Sequence, residues 1–230
     1  VSAPVYTTFF DYDTSTFRFT GTGTTDIGAT AYYNYELLPA SGTPTYNFGG
    51  ASVFGNAVIG TSVNFVGGTN QLNMQGDGKT IDAGGKTIYD FRVNGTNNTV
   101  TVINNDINAS WTIQVANGST LSINAGRTVT HSGSSFIVGG TVSGAGMLTF
   151  TDTSSGPNTL GTISSTVRFD ATAGDIATTT LDVRTYGGRV EFYSNSSTAR
   201  TATFAAGTYI LSGASSNLYL IADGASPGNL

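Results

Sequence analysis

Apolar and polar residues alternate in short bursts along the chain. Residues 99–103 (TVTVI), 111–115 (WTIQV), 148–151 (LTFT), 166–169 (TVRF), 181–185 (LDVRT), 189–194 (RVEFYS) and 217–221 (NLYLI) each put every second side chain on one face, the signature of a half-buried strand. Turn formers separate them. Asn94-Gly95, Asn117-Gly118, Gly139-Gly140, Ser155-Gly156-Pro157 and Gly187-Gly188 break the runs after a few residues. Only residues 32–38 (YYNYELL) read as helix, and Pro39 halts them within two turns, so they too are taken as strand.

The strands recur at a fixed spacing. Leu148, Phe169, Val190 and Leu211 follow one another at a constant interval of roughly 21 residues, with Phe150 and Phe192 keeping step two positions on. Val100, Leu121, Val142 and Ile163 extend the period toward the N-terminus. A helix-free repeat of this length is too short for a propeller blade and lacks the leucine-rich pattern. It suits one coil of a β-helix, in which about three short strands surround a core and the next coil pairs in parallel ~4.8 Å above. The expected fold is all-β, a right-handed parallel β-helix (β-solenoid) of roughly 21-residue coils, with Leu148, Phe169, Val190 and Leu211 as a core ladder. Roughly eight to eleven coils would make a rod about 40–50 Å long. The alternative, a β-sandwich of jelly-roll type, would lose the ladder.

A longer self-similarity is weaker. Residues 31–37 (AYYNYEL) resemble 87–93 (TIYDFRV), and 56–60 (NAVIG) resemble 110–114 (SWTIQ), which points to a two-coil unit. Residues 76–85 (GDGKTIDAGG) and 108–130 (NASWTIQVANGSTLSINAGRTVT) resemble the loose consensus of extracellular β-strand-repeat proteins, the β-helical stalks of bacterial and archaeal adhesins and surface proteins. This resemblance of pattern spans residues 31–230. It implies the architecture and a secreted setting, and it transfers no functional residues.

The ends depart from the repeat. Residues 1–20 crowd together Tyr6, Phe9, Phe10, Tyr12, Phe17 and Phe19, so they are read as a separate aromatic segment before a β-helix domain at 21–230. That segment is either a cap over the open first coil or an arm that adds as a strand to a neighbouring copy. Residues 221–230 (IADGASPGNL) hold no amphipathic or polar closing element. The expected partners are therefore end-to-end copies of the same chain, or further coils of a longer one, with surface glycans as a third candidate.

Composition narrows the function classes. Gly (31), Thr (38), Ser (23) and Asn (18) make 110 of 230 residues, and charged residues make 10% against about 25% in ordinary domains. Two Lys and two Glu cannot clothe the outer faces of a helix bundle. Nine scattered basic residues and a net charge of −5 give no footprint for nucleic acid. No apolar run of about 18 residues exists to enter a membrane, and no signal-type leader opens the sequence. Without Cys there is neither a disulfide framework nor a thiolate site. Outer faces of Thr, Ser, Asn and Gly fit the cell exterior.

Candidate chemistry is sparse. One histidine, His131 in an alternating strand, is read as outward-facing. Glycoside hydrolysis needs two carboxylates about 5–9.5 Å apart, and stacking could bring together Asp170, Asp182 or Glu191. Of the pectinase pattern only Asn104-Asn105-Asp106 has a counterpart. Asp11 with Asp13, or Asp77 with Asp82, fit surface turns better than a calcium site. Asp77-Gly78-Lys79-Thr80 lacks the upstream glycine of a phosphate loop. No catalytic residue, metal ligand or cofactor is assigned. Glycosylation sequons fall at Asn94, Asn97, Asn108, Asn117 and Asn195, all placed on turns, in the number that this Ser and Thr content yields by chance. Trp111, Tyr186 and Tyr193 could stack on sugars. The pairs Thr99/Thr101, Thr128/Thr130, Thr149/Thr151 and Thr201/Thr203 would order water, as on an ice-binding face, only if in register on every coil. The expectation is a non-catalytic, extracellular structural or adhesive protein that joins end to end into a filament or surface stalk. The alternative is a carbohydrate-binding or carbohydrate-cleaving β-helix of tailspike or pectinase type.

Overall fold

A computed structural model describes residues 14–151, 158–159, 161–177, 184–197, 200–203, 209–211 and 218–222. Among these residues every regular element is a strand, and all strand pairing is parallel. The chain is a β-solenoid. Parallel pairing of each strand with its counterpart one coil later excludes the antiparallel sandwich.

Ten strands, from Thr16–Phe19 to Tyr209–Leu211, stack as the first face. Nine intervals of ~4.8 Å make the rod about 43 Å long. The second face begins with Thr25–Ile27, Thr45–Phe48 and Asn64–Val66, and the third with Thr30–Tyr32, Ala51–Val53 and Gln71–Met74. The strands Thr87–Val93 and Ile107–Val115 run around the corner between these two faces. Above them Thr128–His131, Met147–Phe150, Thr166–Asp170, Val190–Ser194 and Leu218–Ala222 continue the second face, while Ser135–Val138 and Asn158–Thr159 continue the third.

The first face keeps the expected period. Val100, Leu121, Val142 and Ile163 are successive register partners, each at most 1% exposed, so four coils of equal length stack one apolar residue on the next. Outside these coils the interval varies. The first rung is short, with Arg18 paired and hydrogen-bonded to Glu36 across 18 residues, whereas the step from Tyr186 to Leu211 exceeds the period by four. Corners absorb the difference. At one of them Asn98 Nδ2 donates to the carbonyls of Gln75 and Asn94, and Ser119 Oγ to Gly95, so short polar side chains satisfy the backbone where the ladder bends.

On the second face the register corrects the sequence reading. Leu148 pairs with Val167, not Phe169, and Val167 pairs with Val190. Phe150, Phe169 and Phe192 form the neighbouring column, their rings 5.3 and 5.4 Å apart and nearly parallel. Leu211 belongs to the first face, beside Tyr186. The four residues proposed as one core ladder therefore sit in three columns. The coil from Phe150 to Phe169 falls two short of the period and the next, to Phe192, exceeds it by two, so a slip is made and undone. Such an even slip leaves every side chain on its own side of the sheet.

The expected two-coil unit is also not found among the described residues. Residues 31–37 run from the third face to the first, whereas Thr87–Val93 runs from the second to the third. At the N-terminal side Phe17 and Phe19 lie in the first described rung, paired with Tyr35 and Leu37, so the solenoid includes part of the segment set apart as cap or arm. Tyr6, Phe9, Phe10 and Tyr12 lie outside the described residues.

Candidate functional site

The accessible chemistry gathers at the corner between the second and third faces. There the pairing of Thr87–Val93 with Ile107–Val115 slips, because Tyr89 opposes the two residues Ser110 and Trp111. The extra residue is a bulge, and it turns Trp111 outward to 45% exposure. Its ring stacks on Tyr89 with centroids 5.7 Å apart and planes within 5°. One coil higher the corner is Ser132-Gly133-Ser134. A Cβ on Gly133 would stand 2.3 Å from the Trp111 Cα and carbonyl oxygen, so glycine lets that coil close over the tryptophan backbone.

Below the aromatic pair, three coils leave an open groove of about 430 Å³, whose lining includes Thr30, Gly50, Ser52, Thr69, Asn70 and Gln71. Gln71 pairs with Asp90, the residue after Tyr89, so the top rung of the groove lies directly beneath the stack. No lining side chain is charged. Asp90 itself is held by the Arg92 guanidinium through bonds of 2.8 and 2.7 Å. The hydrogen bond to Asp90 raises the Arg92 pKa, with burial opposing it, and the two side chains satisfy each other.

Of the three aromatic residues proposed to meet sugars, Trp111 alone is open. Tyr186 is buried, and the Arg168 guanidinium covers the Tyr193 ring at 4.4 Å. The sequence carried no signal for the groove, which exists only where three corners of small residues are stacked.

The described candidate carboxylates are engaged in the scaffold. Glu191 is buried between two arginines, with Arg168 2.7 Å from one carboxylate oxygen and Arg189 2.8 Å from the other. Asp170 accepts the Thr172 amide, and Asp182 lies outside the described residues. Asp82 accepts from Asn104 and Asn105, and Asp106 from the Thr128 amide, so Asn104-Asn105-Asp106 is a corner ladder. Asp77 caps the Thr99 amide; Asp11 and Asp13 are not among the described residues. Lys79 opens the strand Lys79–Asp82.

His131 corrects its reading. It is fully buried, edge-on to Phe136 and Phe150 at 5.5 and 5.8 Å, with Nε2 3.1 Å from the Ser135 carbonyl and 3.3 Å from that of Trp111. Its place two residues after buried Val129 puts it on the inner side, and carbonyl partners make that tolerable. The signal was in the alternation itself.

Asn97, Asn117 and Asn195 are exposed, and Asn94 is half-buried at its corner. Asn108 is not on a turn: it lies within Ile107–Val115, paired to Thr87 and Thr130. Thr99, Thr120, Thr141 and Thr162 do stack in one column, but the column beside it runs Thr101, Ser122, Ser143 and loses the methyl groups. Thr128 and Thr130 pair with Met147 and Thr149 on another face. The last described second-face strand, Leu218–Ala222, continues the columns of Val190 and Phe192 with Leu218 and Leu220, which are 57% and 68% exposed.

Compared with protein-family models, curated proteins and solved structures, the chain matches none.

Proposed function

We propose that the chain is a non-catalytic structural or adhesive rod of the cell exterior, of the kind seen in β-helical surface stalks, that assembles end to end with copies of itself. The observation that carries this reading is the rung Leu218–Ala222. Leu218 and Leu220 occupy columns whose previous members, Val190 and Phe192, face the core, yet both are exposed. Core-type side chains left open to water favour another coil packed upon them, which a parallel rung would receive by backbone pairing. At the opposite end Phe17 is 40% exposed on the first described rung, so a second copy would bring apolar surface to apolar surface. A head-to-tail contact of this type does not close on itself, and it propagates into a filament. Faces built from Thr, Ser, Asn and Gly, with carboxylates spent on corners and ion pairs, support a scaffold outside the cell better than an enzyme.

Electron microscopy and sedimentation of the purified chain test the reading. Wild type is expected to form rods longer than one solenoid, and Leu220→Asp to give single short rods with unchanged strand content. Wild-type rods that stay monodisperse and unjoined at high concentration overturn it.

A further inference from the structure

We propose that the corner groove and the Tyr89–Trp111 stack together bind an uncharged glycan chain laid along the rod axis. The inference rests on the adhesive reading and names the ligand class of its surface. Thr69, Asn70 and Gln71 form the top rung of the groove, Gln71 pairs with Asp90, and Asp90 pairs with Thr112, which follows Trp111. Five consecutive rungs, from Thr30 to Trp111, thus share one strip about 19 Å long. That length suits an oligosaccharide rather than a single sugar.

The chemistry of the strip is divided as a glycan requires. The floor offers the hydroxyls of Thr30, Ser52 and Thr69 and the amide of Gln71, uncharged groups that exchange hydrogen bonds with sugar hydroxyls. Gly50 keeps that floor low: at φ +109° it disfavours any side chain, and a Cβ there would point among Ala29, Asn70 and the Gln71 carbonyl. Above the floor the Tyr89–Trp111 stack supplies a flat apolar surface for the C–H face of a sugar ring, and Trp111 is held there by the bulge and by Gly133. Asn73, in register with Ser52, is 6% exposed, and its Oδ1 has no hydrogen-bond partner among the described residues. Charge decides among polymers. The lining has no cation to recruit uronate, sulfate or phosphate, and Arg92, on the strand above Gln71, is bound to Asp90.

The chain has one tryptophan, so its emission reports on this site alone. Titrations of dilute wild type with cellohexaose, xylohexaose, laminarihexaose and chitohexaose, and with oligogalacturonate as charged control, are followed by tryptophan fluorescence and calorimetry. At least one uncharged oligomer is expected to shift the emission saturably, and oligogalacturonate is not. Trp111→Ala is expected to weaken binding about tenfold by calorimetry, and Thr69→Arg, on an exposed turn, to weaken it without lowering the melting temperature. The proposal is overturned if none of the four binds, if oligogalacturonate binds equally well, or if both variants bind as wild type does. Loss of glycan binding with filaments intact refutes this inference alone, and unjoined short rods that still bind glycan refute the assembly reading alone.

Discussion

Two tyrosines in the first coils make one substitution run in opposite directions. Tyr35 and Tyr46 are both fully buried among aromatic rings. The Tyr46 hydroxyl lies 2.9 Å from the Gly21 carbonyl oxygen and 3.2 Å from that of Phe19 and donates there, whereas the Tyr35 hydroxyl has no partner among the described residues. A buried, unpaired hydroxyl costs about 1–3 kcal/mol, and a satisfied one contributes about 0.5–1.5 kcal/mol. Tyr35→Phe is therefore expected to stabilise the protein by ~1 kcal/mol, after allowance for the small void left behind. Tyr46→Phe is expected to destabilise it by a similar amount, because two carbonyls lose their donor. For a chain of this size each step moves the melting temperature by about 2–4 °C. Alkali amplifies the contrast. Burial, with repulsion from Tyr32 and Tyr46 added, raises the Tyr35 pKa far above 10, so the folded state keeps a proton that the unfolded chain releases. Below pH 10 this phenol adds no pH dependence, and above it wild-type stability falls by ~1.4 kcal/mol per pH unit. Tyr35→Phe removes that slope. Thermal melts by circular dichroism at pH 8, 10 and 11 should show the variant's advantage growing with pH. A Tyr35→Phe protein that melts below wild type at pH 8, or whose advantage is the same at pH 8 and 11, refutes the reasoning.

Three other substitutions probe separate parts of the rod. His131→Leu removes the donor shared by the Ser135 and Trp111 carbonyls and should lower the unfolding free energy by about 1–3 kcal/mol in urea titrations. Glu191→Gln leaves Arg168 and Arg189 without their shared carboxylate. Their side chains are 26% and 41% exposed, so the loss is expected at about 1–2 kcal/mol, and it should shrink in high salt. Gly133→Ala drives a methyl group into the Trp111 backbone, so a loss of about 1–3 kcal/mol and a changed tryptophan emission spectrum are expected.

What could be read from the sequence divides along a physical line. Alternation with period two tells which side of a strand a residue faces, and it located the strands well: 99–103 was expected against Thr99–Val102, and 166–169 against Thr166–Asp170. It cannot tell how far one strand has slid along the next in even steps. On the first face four coils of equal length kept the spacing and the register identical, so Val100, Leu121, Val142 and Ile163 stack as their numbers imply. On the second face a short coil before Phe169 and a long one after it shifted the pairing by two and back, and an apolar residue waited at both the expected and the actual partner position. Nothing in hydrophobicity distinguished them.

The same reasoning accounts for the candidate site. Residues that act together on a solenoid are one coil apart, so their meeting depends on coil lengths and corner bulges, the least regular parts of the chain. Trp111 stands out by its residue type, but its stacking on Tyr89 requires a bulge of a single residue at one corner. The groove requires more: Thr30, Ser52 and Gln71 approach one another because two successive steps of equal length on this face bring three corners into line. His131 is the opposite case, a residue whose place the pattern did carry. Val129 and His131 share one side of their strand, and the buried carbonyls of Trp111 and Ser135 supply what a polar ring needs there. In a fold of stacked coils, alternation is thus a better guide to the inside than residue type. The working surface follows from the corners, where both signals fail.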